Sequence, residues 1–483
     1  MYEVALLLHG RDMAASDGAV YERLNPITGK TATRAAAATV DDARAAAAAA
    51  GAAFHGWSSL GPSERRKRLS AAADEIERRA VDFYEAMMKE TGATEVWGRF
   101  NVSLAAAMLR EAAAMTTSNV GEIIPSDKPG LTAMALREPV GVVLGLAPWN
   151  APVILGVRSI AMPLACGNTV VLKGSEICPR THRLIGEVFQ AAGCGDGVVN
   201  VISNAPEDAS RIVEALIAHP TVRRVNFTGS TRVGRHIAEL AARYLKPALL
   251  ELGGKAPLLV LDDADLDEAV AAAAFGAFMN QGQMCMSTER VIVDESIADE
   301  FARLFAAKAA TLVAGDRRKE KTPLGSVVSL EAIERVIGLV RDGVAKGARL
   351  LTGGRADGVL MDATVLDHVT PAMRIYNEES FGPVVAIIRV RSADEAVRVA
   401  NDTEYGLSAA VFGRDLTRAL AVARRIESGI CHINGPTVHD EAQMPFGGVK
   451  ASGYGRFGGS AAVHEFTELR WVTIASGKGR YPI

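Results

Sequence analysis

The sequence predicts an α/β protein with more than one lobe, and two observations lead to this prediction. At 483 residues, the chain is well beyond the roughly 250–300 residues at which a single hydrophobic core usually stops growing. From position 140 onward, short runs rich in β-branched residues alternate with helical stretches. This alternation is typical of βαβ units and therefore of parallel sheets.

Two groups of strands carry the alternation. The first group is predicted at residues 142–146, 169–172, 198–202, 224–227 and 258–261. The second group is predicted at residues 290–293, 386–390 and 409–412, together with helices at 297–313 and 392–402. We therefore expect a second α/β lobe to follow the first.

The first third of the chain is expected to be mostly helical. Thr39 and Asp42 form an N-cap pair ahead of a helix at residues 43–54. Pro62 opens a second helix, which we expect to continue to Glu90. A short apolar run at residues 4–8 is interpreted as an early strand.

Composition excludes several classes of function. The chain is 49% hydrophobic and 23% charged with a net charge of −3, so it lacks the basic surface that nucleic acid requires. No uninterrupted apolar run reaches the roughly 18–20 residues of a membrane span. Its five cysteines show no CxxC spacing, which argues against a disulfide framework and a structural zinc site. We expect a soluble, cytoplasmic protein without a metal.

A glycine-rich loop is the best candidate for binding phosphate. The one GxGxxG match starts at Gly453, but no predicted strand precedes it and too little chain follows to complete a βαβ unit. Gly229, Ser230 and Gly234 instead follow a predicted strand and open a helix, and a helix start binds phosphate through its free N–H groups. A turn with an ordinary helix cap remains an equal alternative.

Charged residues also lie where a parallel sheet binds ligands. Lys173 directly follows the strand predicted at 169–172, and Glu176 lies three residues later. The carboxyl ends of such strands are where nucleotides bind. A surface lysine beside a helix-capping glutamate is the alternative.

Cys285 and Glu251 are the candidates for covalent and acid–base chemistry. Cys285 follows a glycine-flanked polar turn, which would expose a nucleophilic sulfur, although most cysteines are small core residues. Glu251 lies in an apolar run before two glycines, and burial would raise its pKa into the range of a general base. Its alternative is an ion pair with Lys255. Asn150, after a buried strand, offers an amide for an oxyanion or an Asx turn.

Together these segments resemble the aldehyde dehydrogenase superfamily over nearly the whole chain and in the family's order. The matching segments are Pro148-Trp149-Asn150, Lys173-Gly174-Ser175-Glu176, the loop from Gly229 to Gly234, Glu251-Leu252-Gly253-Gly254-Lys255, Gly282-Gln283-Met284-Cys285 and Glu378-Glu379-Ser380-Phe381-Gly382-Pro383. The resemblance implies a Rossmann-type NAD-binding domain (1–118 and 141–250), an α/β catalytic domain (251–453) and a small β oligomerisation element (119–140 and 460–483). It also implies a homodimer or homotetramer.

The resemblance assigns a role to each candidate. Cys285 would be the nucleophile that forms a thiohemiacetal and then a thioester, Glu251 the base that activates water, and Asn150 the oxyanion amide. The residues implied to bind NAD are Trp149, Lys173, Glu176, Gly229, Ser230, Gly234, Glu379 and Phe381. Glu176 would repel a 2′-phosphate, which favours NAD over NADP. Gly174, Ser287 and Phe457 depart from the family's usual residues.

Within the superfamily the chain is most similar to bacterial salicylaldehyde and other aromatic aldehyde dehydrogenases, so we expect an aromatic aldehyde of the salicylaldehyde or benzaldehyde type as substrate. Arg158 lies about two helical turns beyond Asn150, and we expect it to recognise a polar ring substituent, with a buried salt bridge as the alternative. Trp97 and Met284 are further candidates for the ring pocket.

Other functions remain as alternatives. They are an aliphatic or semialdehyde dehydrogenase, an enzyme that passes its thioester to coenzyme A, and a cysteine acyltransferase or hydrolase without redox chemistry. Glu251 disfavours the second, and the lack of a convincing catalytic histidine disfavours the third.

Overall fold

An eight-stranded sheet forms the first lobe in the computed structural model of the chain, which describes residues 1–118, 120–316, 322–477, 481 and 483. The strands, in order across the sheet, are Gly453–Tyr454, Ala248–Glu251, Val222–Thr228, Val142–Leu146, Thr169–Lys173, Val199–Ile202, Leu6–Leu8 and Arg11–Met13. The five strands between residues 142 and 251 are parallel. The other three strands pair in antiparallel fashion at the two edges.

Strand order places a topological switch point in the middle of this sheet. From Val142–Leu146 the chain adds strands on one side and later returns to add Val222–Thr228 on the other. A crevice therefore opens between the carboxyl ends of these two strands, where ligands of doubly wound sheets bind.

Helices cover both faces of this sheet. They are Val40–Ser58, Pro62–Arg78, Ala80–Thr91, Glu95–Met115, Pro152–Ala165, Pro179–Ala191, Ala209–Ala218 and Thr231–Arg243. The prediction of one helix from Pro62 to Glu90 is wrong, because Arg79 leaves the helical conformation (φ −95°, ψ 18°) and a new helix begins at Ala80. The break buries Phe83 and Met87, and no glycine or proline marks it in the sequence.

The N-terminus contains more strand than predicted. The expected strand at residues 4–8 is two strands, Tyr2–Val4 and Leu6–Leu8. The first joins Thr31–Ala36 and Val20–Leu24 in a separate three-stranded sheet, and the second joins the large sheet.

A seven-stranded sheet forms the second lobe, as predicted, but the strand predicted at 258–261 with the first group belongs to this sheet, as Ala256–Val260. Its strands, in order, are Arg349–Thr352, Thr364–Asp367, Val384–Val390, Thr288–Asp294, Ala256–Val260, Ser408–Phe412 and Ile430–Ile433. The accompanying helices are Leu266–Phe278, Ala298–Ala310, Leu330–Ala345, Arg374–Asn377, Ala393–Asn401 and Leu416–Ala423. The last helix, Gly459–Glu465, packs instead against Glu95–Met115 and Pro152–Ala165 of the first lobe. Ala356–Asp357 and Leu360–Met361 form a separate small hairpin. Along the chain it falls between the first two strands of the seven-stranded sheet.

A second three-stranded sheet, separate from the N-terminal one, carries exposed apolar side chains. Glu122–Ile124, Leu131–Pro139 and Thr467–Ala475 pair in antiparallel fashion and fall within the β oligomerisation element that the resemblance implies. Trp471 (78% exposed) and Leu469 (62% exposed) lie on one face, and Ile123 (78% exposed) lies on the opposite face. The domain boundaries given above stay predictions.

None of the helices in the described part of the chain combines the length and the apolar composition that crossing a bilayer requires.

Candidate active site

The candidate residues of both lobes meet around one cavity of about 280 Å³. Eight of them line it. Two are Trp149 and Gly229, and the other six are Asn150, Ser230, Glu251, Cys285, Glu379 and Phe381. Of these six, the first three follow or end parallel strands of the eight-stranded sheet. The other three precede strands of the seven-stranded sheet at their amino ends. The cavity therefore lies between the two sheets, at the switch point of the first.

The loop that carries Cys285 is strained. Asn280 and Gln281 adopt left-handed φ values of 49° and 57° in the turn just before the cysteine. Non-glycine residues in this conformation cost about 1–3 kcal/mol each and concentrate at functional sites. Two buried hydrogen bonds hold the turn, because Asn280 donates to the Asn150 carbonyl (3.0 Å) and Gln283 donates to the Asn280 carbonyl (3.1 Å).

Asn150 is fixed from both sides. Its side-chain amide donates to the Gln283 carbonyl over 3.0 Å. Its own carbonyl accepts from the indole of Trp97 over 2.9 Å. An amide group has two N–H donors, so one remains for an oxygen near Cys285. Trp97, predicted to line a ring pocket, is thus a buried support for Asn150.

Two glycines bring Glu251 and Cys285 together. A Cβ atom on Gly254 would lie 2.2 Å from the Cys285 carbonyl oxygen, and one on Gly253 would lie 2.9 Å from the Glu379 carboxylate. Both distances are too short for a side chain. The two glycines after Glu251-Leu252 therefore permit the close approach of three chain segments.

Glu251 is buried without a countercharge. Burial raises the pKa of its carboxyl to about 7, although the Cys285 thiol, Arg158 and Thr228 act to lower it. Neither carboxylate oxygen has a partner with normal hydrogen-bond geometry. The alternative of a pair with Lys255 is wrong. A carboxyl that titrates near pH 7 is suited to general-base work.

Cys285 is partly buried, and its thiol is held in the protonated form. Burial raises its pKa well above the ordinary value, and the negative charge of Glu251 adds to this effect. The sulfur must therefore lose a proton as it attacks, and Glu251 is the charged group that acts on it most strongly.

A buried ion pair shapes the loop before Phe381. Lys255 donates to Glu289 and to the Glu378 carbonyl, both over 2.7 Å. Glu289 in turn accepts from the backbone N–H groups of Ser380 and Phe381, each over 3.0 Å. Phe381 itself has a left-handed φ of 44°. The sequence did not predict this ion pair, because the spacing between Lys255 and Glu289 along the chain does not indicate that they meet.

Glu379 and Phe381 line the cavity opposite the glycine loop. The backbone N–H of Gly254 donates to Glu379 over 2.9 Å, and burial raises the pKa of Glu379 to about 7. The Phe381 ring meets the Trp149 ring edge-on, with centroids 5.8 Å apart. An acceptor beside two aromatic rings suits a ribose and a flat heterocycle.

The loop from Gly229 to Gly234 and the strand that ends at Lys173 have features that suit the binding of a dinucleotide. Ser230 caps the helix Thr231–Arg243 by accepting from Val233, and Ser230 and Gly229 both line the cavity. The start of this helix, where N–H groups lack partners within the helix, therefore lies at the cavity wall. Gly234 instead packs against Leu252, where a Cβ would clash at 2.3 Å. Gly234 therefore allows this helix to pack closely against Leu252.

Lys173 and Glu176 form an ion pair over 3.1 Å. Burial acts to raise the pKa of Glu176, but Lys173 and hydrogen bonds outweigh it and the net pKa is lowered. Glu176 therefore carries a negative charge at neutral pH. A carboxylate there accepts hydrogen bonds from a free ribose hydroxyl.

A buried histidine that sequence analysis missed supports this loop. The backbone N–H of Ser175 donates to Nδ1 of His182 over 3.0 Å. Burial lowers the pKa of His182 to about 3, so the ring is neutral. The N-terminus of its helix is held by Glu90, which accepts from the backbone N–H groups of Arg180 and Thr181. Only the three-dimensional contacts reveal these roles.

Arg158 forms a buried ion pair with Asp440, which was the alternative considered from the sequence. The guanidinium also stacks on Phe446, with 4.3 Å to the ring centroid. Met284 is buried in the same apolar cluster as Phe446. Recognition of a ring substituent by Arg158 and the placing of Met284 in a ring pocket stay predictions.

Comparison with known proteins identifies relatives over the whole chain. The Aldehyde dehydrogenase family profile matches residues 13–472. A vanillin dehydrogenase of Pseudomonas fluorescens is 63% identical over 100% of both chains. An NAD(+) benzaldehyde dehydrogenase of Pseudomonas putida is 38% identical over 88% of this chain and 87% of its own. The crystal structure of a salicylaldehyde dehydrogenase from Pseudomonas putida G7 complexed with salicylaldehyde matches with a TM-score of 0.98 and 50% identity, covering 100% of both chains.

Proposed function

The chain belongs to the aldehyde dehydrogenase family, and we propose that it oxidises aromatic aldehydes to carboxylic acids with NAD, using Cys285 as nucleophile and Glu251 as base. One observation carries the proposal. Cys285, Glu251 and Asn150 line the same cavity as Ser230, Glu379 and Phe381. The family and the α/β fold predicted from the sequence are both confirmed.

The geometry supports a sequence of steps on Cys285. Its sulfur adds to the aldehyde carbon as the thiol proton leaves, and the Glu251 carboxylate is placed to accept that proton. The resulting oxyanion is stabilised by the free N–H of Asn150 and the backbone N–H of Cys285. When bound, NAD supplies the oxidation by accepting a hydride, which leaves a thioester on the cysteine.

Hydrolysis of the thioester returns the enzyme to its starting state. Glu251 first releases the thiol proton to solvent. It then takes a proton from water as the water oxygen attacks the acyl carbon. The C–S bond breaks, the carboxylic acid departs, and the proton on Glu251 passes to the Cys285 sulfur, which restores the thiol. Because Glu251 activates water, the thioester is hydrolysed and its acyl group does not need to be transferred to coenzyme A.

NAD is the cofactor that the site and the relatives support. The negative charge of Glu176 disfavours a 2′-phosphate, and a benzaldehyde dehydrogenase of Pseudomonas putida carries NAD(+) in its name. The names of all three relatives given above refer to aromatic aldehydes, which supports an aromatic substrate for this chain. The prediction of an aromatic aldehyde dehydrogenase therefore holds.

The purified chain should be tested with aromatic, aliphatic and semialdehyde substrates and with NAD or NADP, without coenzyme A. We expect NADH and acid in equal amounts, with the highest kcat/KM for an aromatic aldehyde. Cys285→Ser should lose this activity, whereas Cys431→Ser, a change at the exposed cysteine, should keep it. Acid without NADH would instead support a hydrolase, full activity in Cys285→Ser would refute the proposal, and preference for a semialdehyde would refute the aromatic substrate.

We also propose that the chain assembles into a homodimer or homotetramer through the three-stranded sheet. Trp471 and Leu469, which are exposed on the same face of the sheet formed by Glu122–Ile124, Leu131–Pro139 and Thr467–Ala475, support this, because large exposed apolar groups mark interaction surfaces. Light scattering should give the mass of a dimer or tetramer, and Trp471→Glu should shift it toward the monomer.

All five cysteines are free thiols, which supports a cytoplasmic location.

A further inference from the structure

A second, smaller cavity lies beside the catalytic residues. It measures about 30 Å³ and is lined by Arg158, Asp440, Met162, Phe446 and other side chains. Met162 and Phe446 belong to the apolar cluster against which Cys285 packs. Arg158 and Asp440 both act electrostatically on Glu251. Arg158 and Asp440, which both line this cavity, therefore lie within electrostatic range of the base.

One polar atom in this cavity lacks a partner. Arg158 donates to Oδ2 of Asp440, but Oδ1 is buried and accepts no hydrogen bond. The Asp440 side chain is 8% exposed. A buried charged acceptor without a donor is costly, at about 1–3 kcal/mol or more. A ligand that supplies a donor at this point would recover that loss.

Size and charge restrict what the donor can be. A cavity of about 30 Å³ holds one water-sized group, so a ring substituent fits but a ring does not. The guanidinium of Arg158 next to the free oxygen disfavours a cation. The apolar wall favours a substituent on a hydrophobic ring. A neutral hydroxyl on an aromatic ring meets all three conditions.

We propose that Asp440 is a specificity residue, whose free oxygen Oδ1 accepts a hydrogen bond from a phenolic hydroxyl of the aldehyde substrate. This inference rests on the proposed function and extends it to hydroxylated aromatic aldehydes. Arg158 then has the role of holding the Asp440 carboxylate in place, through its ion pair and its stacking on Phe446. The acceptor for the substrate is thus the aspartate.

The test compares each hydroxybenzaldehyde (2-, 3- and 4-) with its methyl ether, which keeps the oxygen but lacks the donor. In the wild type, at least one isomer should have a kcat/KM about ten- to a hundredfold higher than its ether, the range for hydrogen bonds to charged groups. In Asp440→Asn, the amide oxygen turns to Arg158 and the amide N–H₂ occupies the cavity. The preference for hydroxyl over methoxy should then disappear or reverse.

Two further variants separate the subsite from general damage. Arg158→Met combined with Asp440→Leu removes both charges and should abolish the preference while benzaldehyde is still oxidised. Asp367→Asn is the matched control, because it disrupts another buried Arg–Asp pair, with Arg389 at 2.7 Å, in the seven-stranded sheet. The control should keep the wild-type preference.

The outcomes distinguish the proposed role of Asp440 from the proposed function on which it rests. Absence of NADH with every aldehyde, benzaldehyde included, would overturn the proposed function. Oxidation of benzaldehyde without a preference for any hydroxyl isomer over its ether would overturn the role of Asp440 alone. An unchanged preference in Asp440→Asn would do the same.

Discussion

Replacement of Glu251 by glutamine should separate the two halves of the reaction. The variant keeps the size of the side chain but cannot accept a proton from water. Glu251→Gln also cannot take the thiol proton, but loss of its negative charge removes an effect that raises the pKa of Cys285, so this proton can pass to solvent and the acyl enzyme should still form. It should then persist, because a positioned general base contributes about 10²–10⁴-fold to the hydrolysis that it assists. Rapid mixing with NAD and an aromatic aldehyde should show a burst of about one NADH per active site, followed by slow turnover.

The same substitution should change how stability depends on pH. Burial moves the pKa of Glu251 from 4.5 to about 7, so the folded protein binds this proton more tightly than the unfolded chain does. The wild type therefore loses stability as pH rises from 4.5 to 7, by about 3 kcal/mol at 1.36 kcal/mol per pKa unit. Glutamine does not titrate. The variant should thus gain about 3 kcal/mol over the wild type between pH 4.5 and pH 8.

Urea unfolding at pH 5 and pH 8 measures this gain, and stopped-flow absorbance at 340 nm measures the burst. Glu379→Gln is the matched control. Its carboxyl also has a pKa raised to about 7 by burial, so it should show a similar pH-dependent gain without an accumulating acyl enzyme. Steady turnover of Glu251→Gln at the wild-type rate, or a pH profile of the rate that still rises near 7, would refute the assignment of the base.

Three further changes test the rest of the site. Asn150→Ala should lower kcat by about 10²–10³-fold with KM for NAD unchanged, and an equal loss in NAD affinity by fluorescence titration would contradict an oxyanion role. Glu176→Gln should raise KM for NAD and reduce the preference for NAD over NADP, while kcat with saturating NAD stays constant. An unchanged ratio of kcat/KM for NAD and NADP would exclude the ribose contact. His182→Phe leaves the Ser175 N–H unpaired and should weaken NAD binding about five- to a hundredfold by calorimetry, whereas His182→Asn, which retains an acceptor, should recover part of it. Equal affinities of the two His182 variants would show that the hydrogen bond does not position the loop.

The sequence predicts the sheets of this protein well because their strands are short, β-branched and fully buried. The prediction for Val142–Leu146 matches to the residue, and the other seven strands predicted in the two groups differ from the structure by at most two residues at either end. Further strands, among them Ala248–Glu251 and Thr364–Asp367, were not predicted. The breaks in the N-terminal region were harder to predict. The helix break at Arg79 has no glycine or proline to mark it in the sequence, and the division between Tyr2–Val4 and Leu6–Leu8 depends on pairing with distant strands.

The candidate site was predictable where a residue's chemistry is visible in its neighbours in sequence. Cys285 beside a polar turn and Glu251 before two glycines are examples. Partners across the fold were not predictable. Glu289 lies 34 residues from Lys255, and Asp440 lies 282 residues from Arg158. Nothing in the local sequence of either pair indicates its partner.

The pattern of pairing among buried charges then identifies where chemistry is concentrated. Lys255 has Glu289, Lys173 has Glu176 and Arg158 has Asp440. Within the part of the chain that the structure describes, Glu251 is the one buried carboxylate whose two oxygens both lack a hydrogen-bond partner. Other buried charges without an ion pair have hydrogen bonds instead, since Glu90 accepts from Thr181 and Arg290 donates to backbone carbonyls. The Glu251 carboxylate has neither kind of partner, and its burial costs about 3 kcal/mol above pH 7. Strain before Cys285 adds to that cost, and both fall on the residues that would bond to or deprotonate the reactants. Stabilising substitutions at Glu251 should therefore be easy to find, and each should reduce turnover.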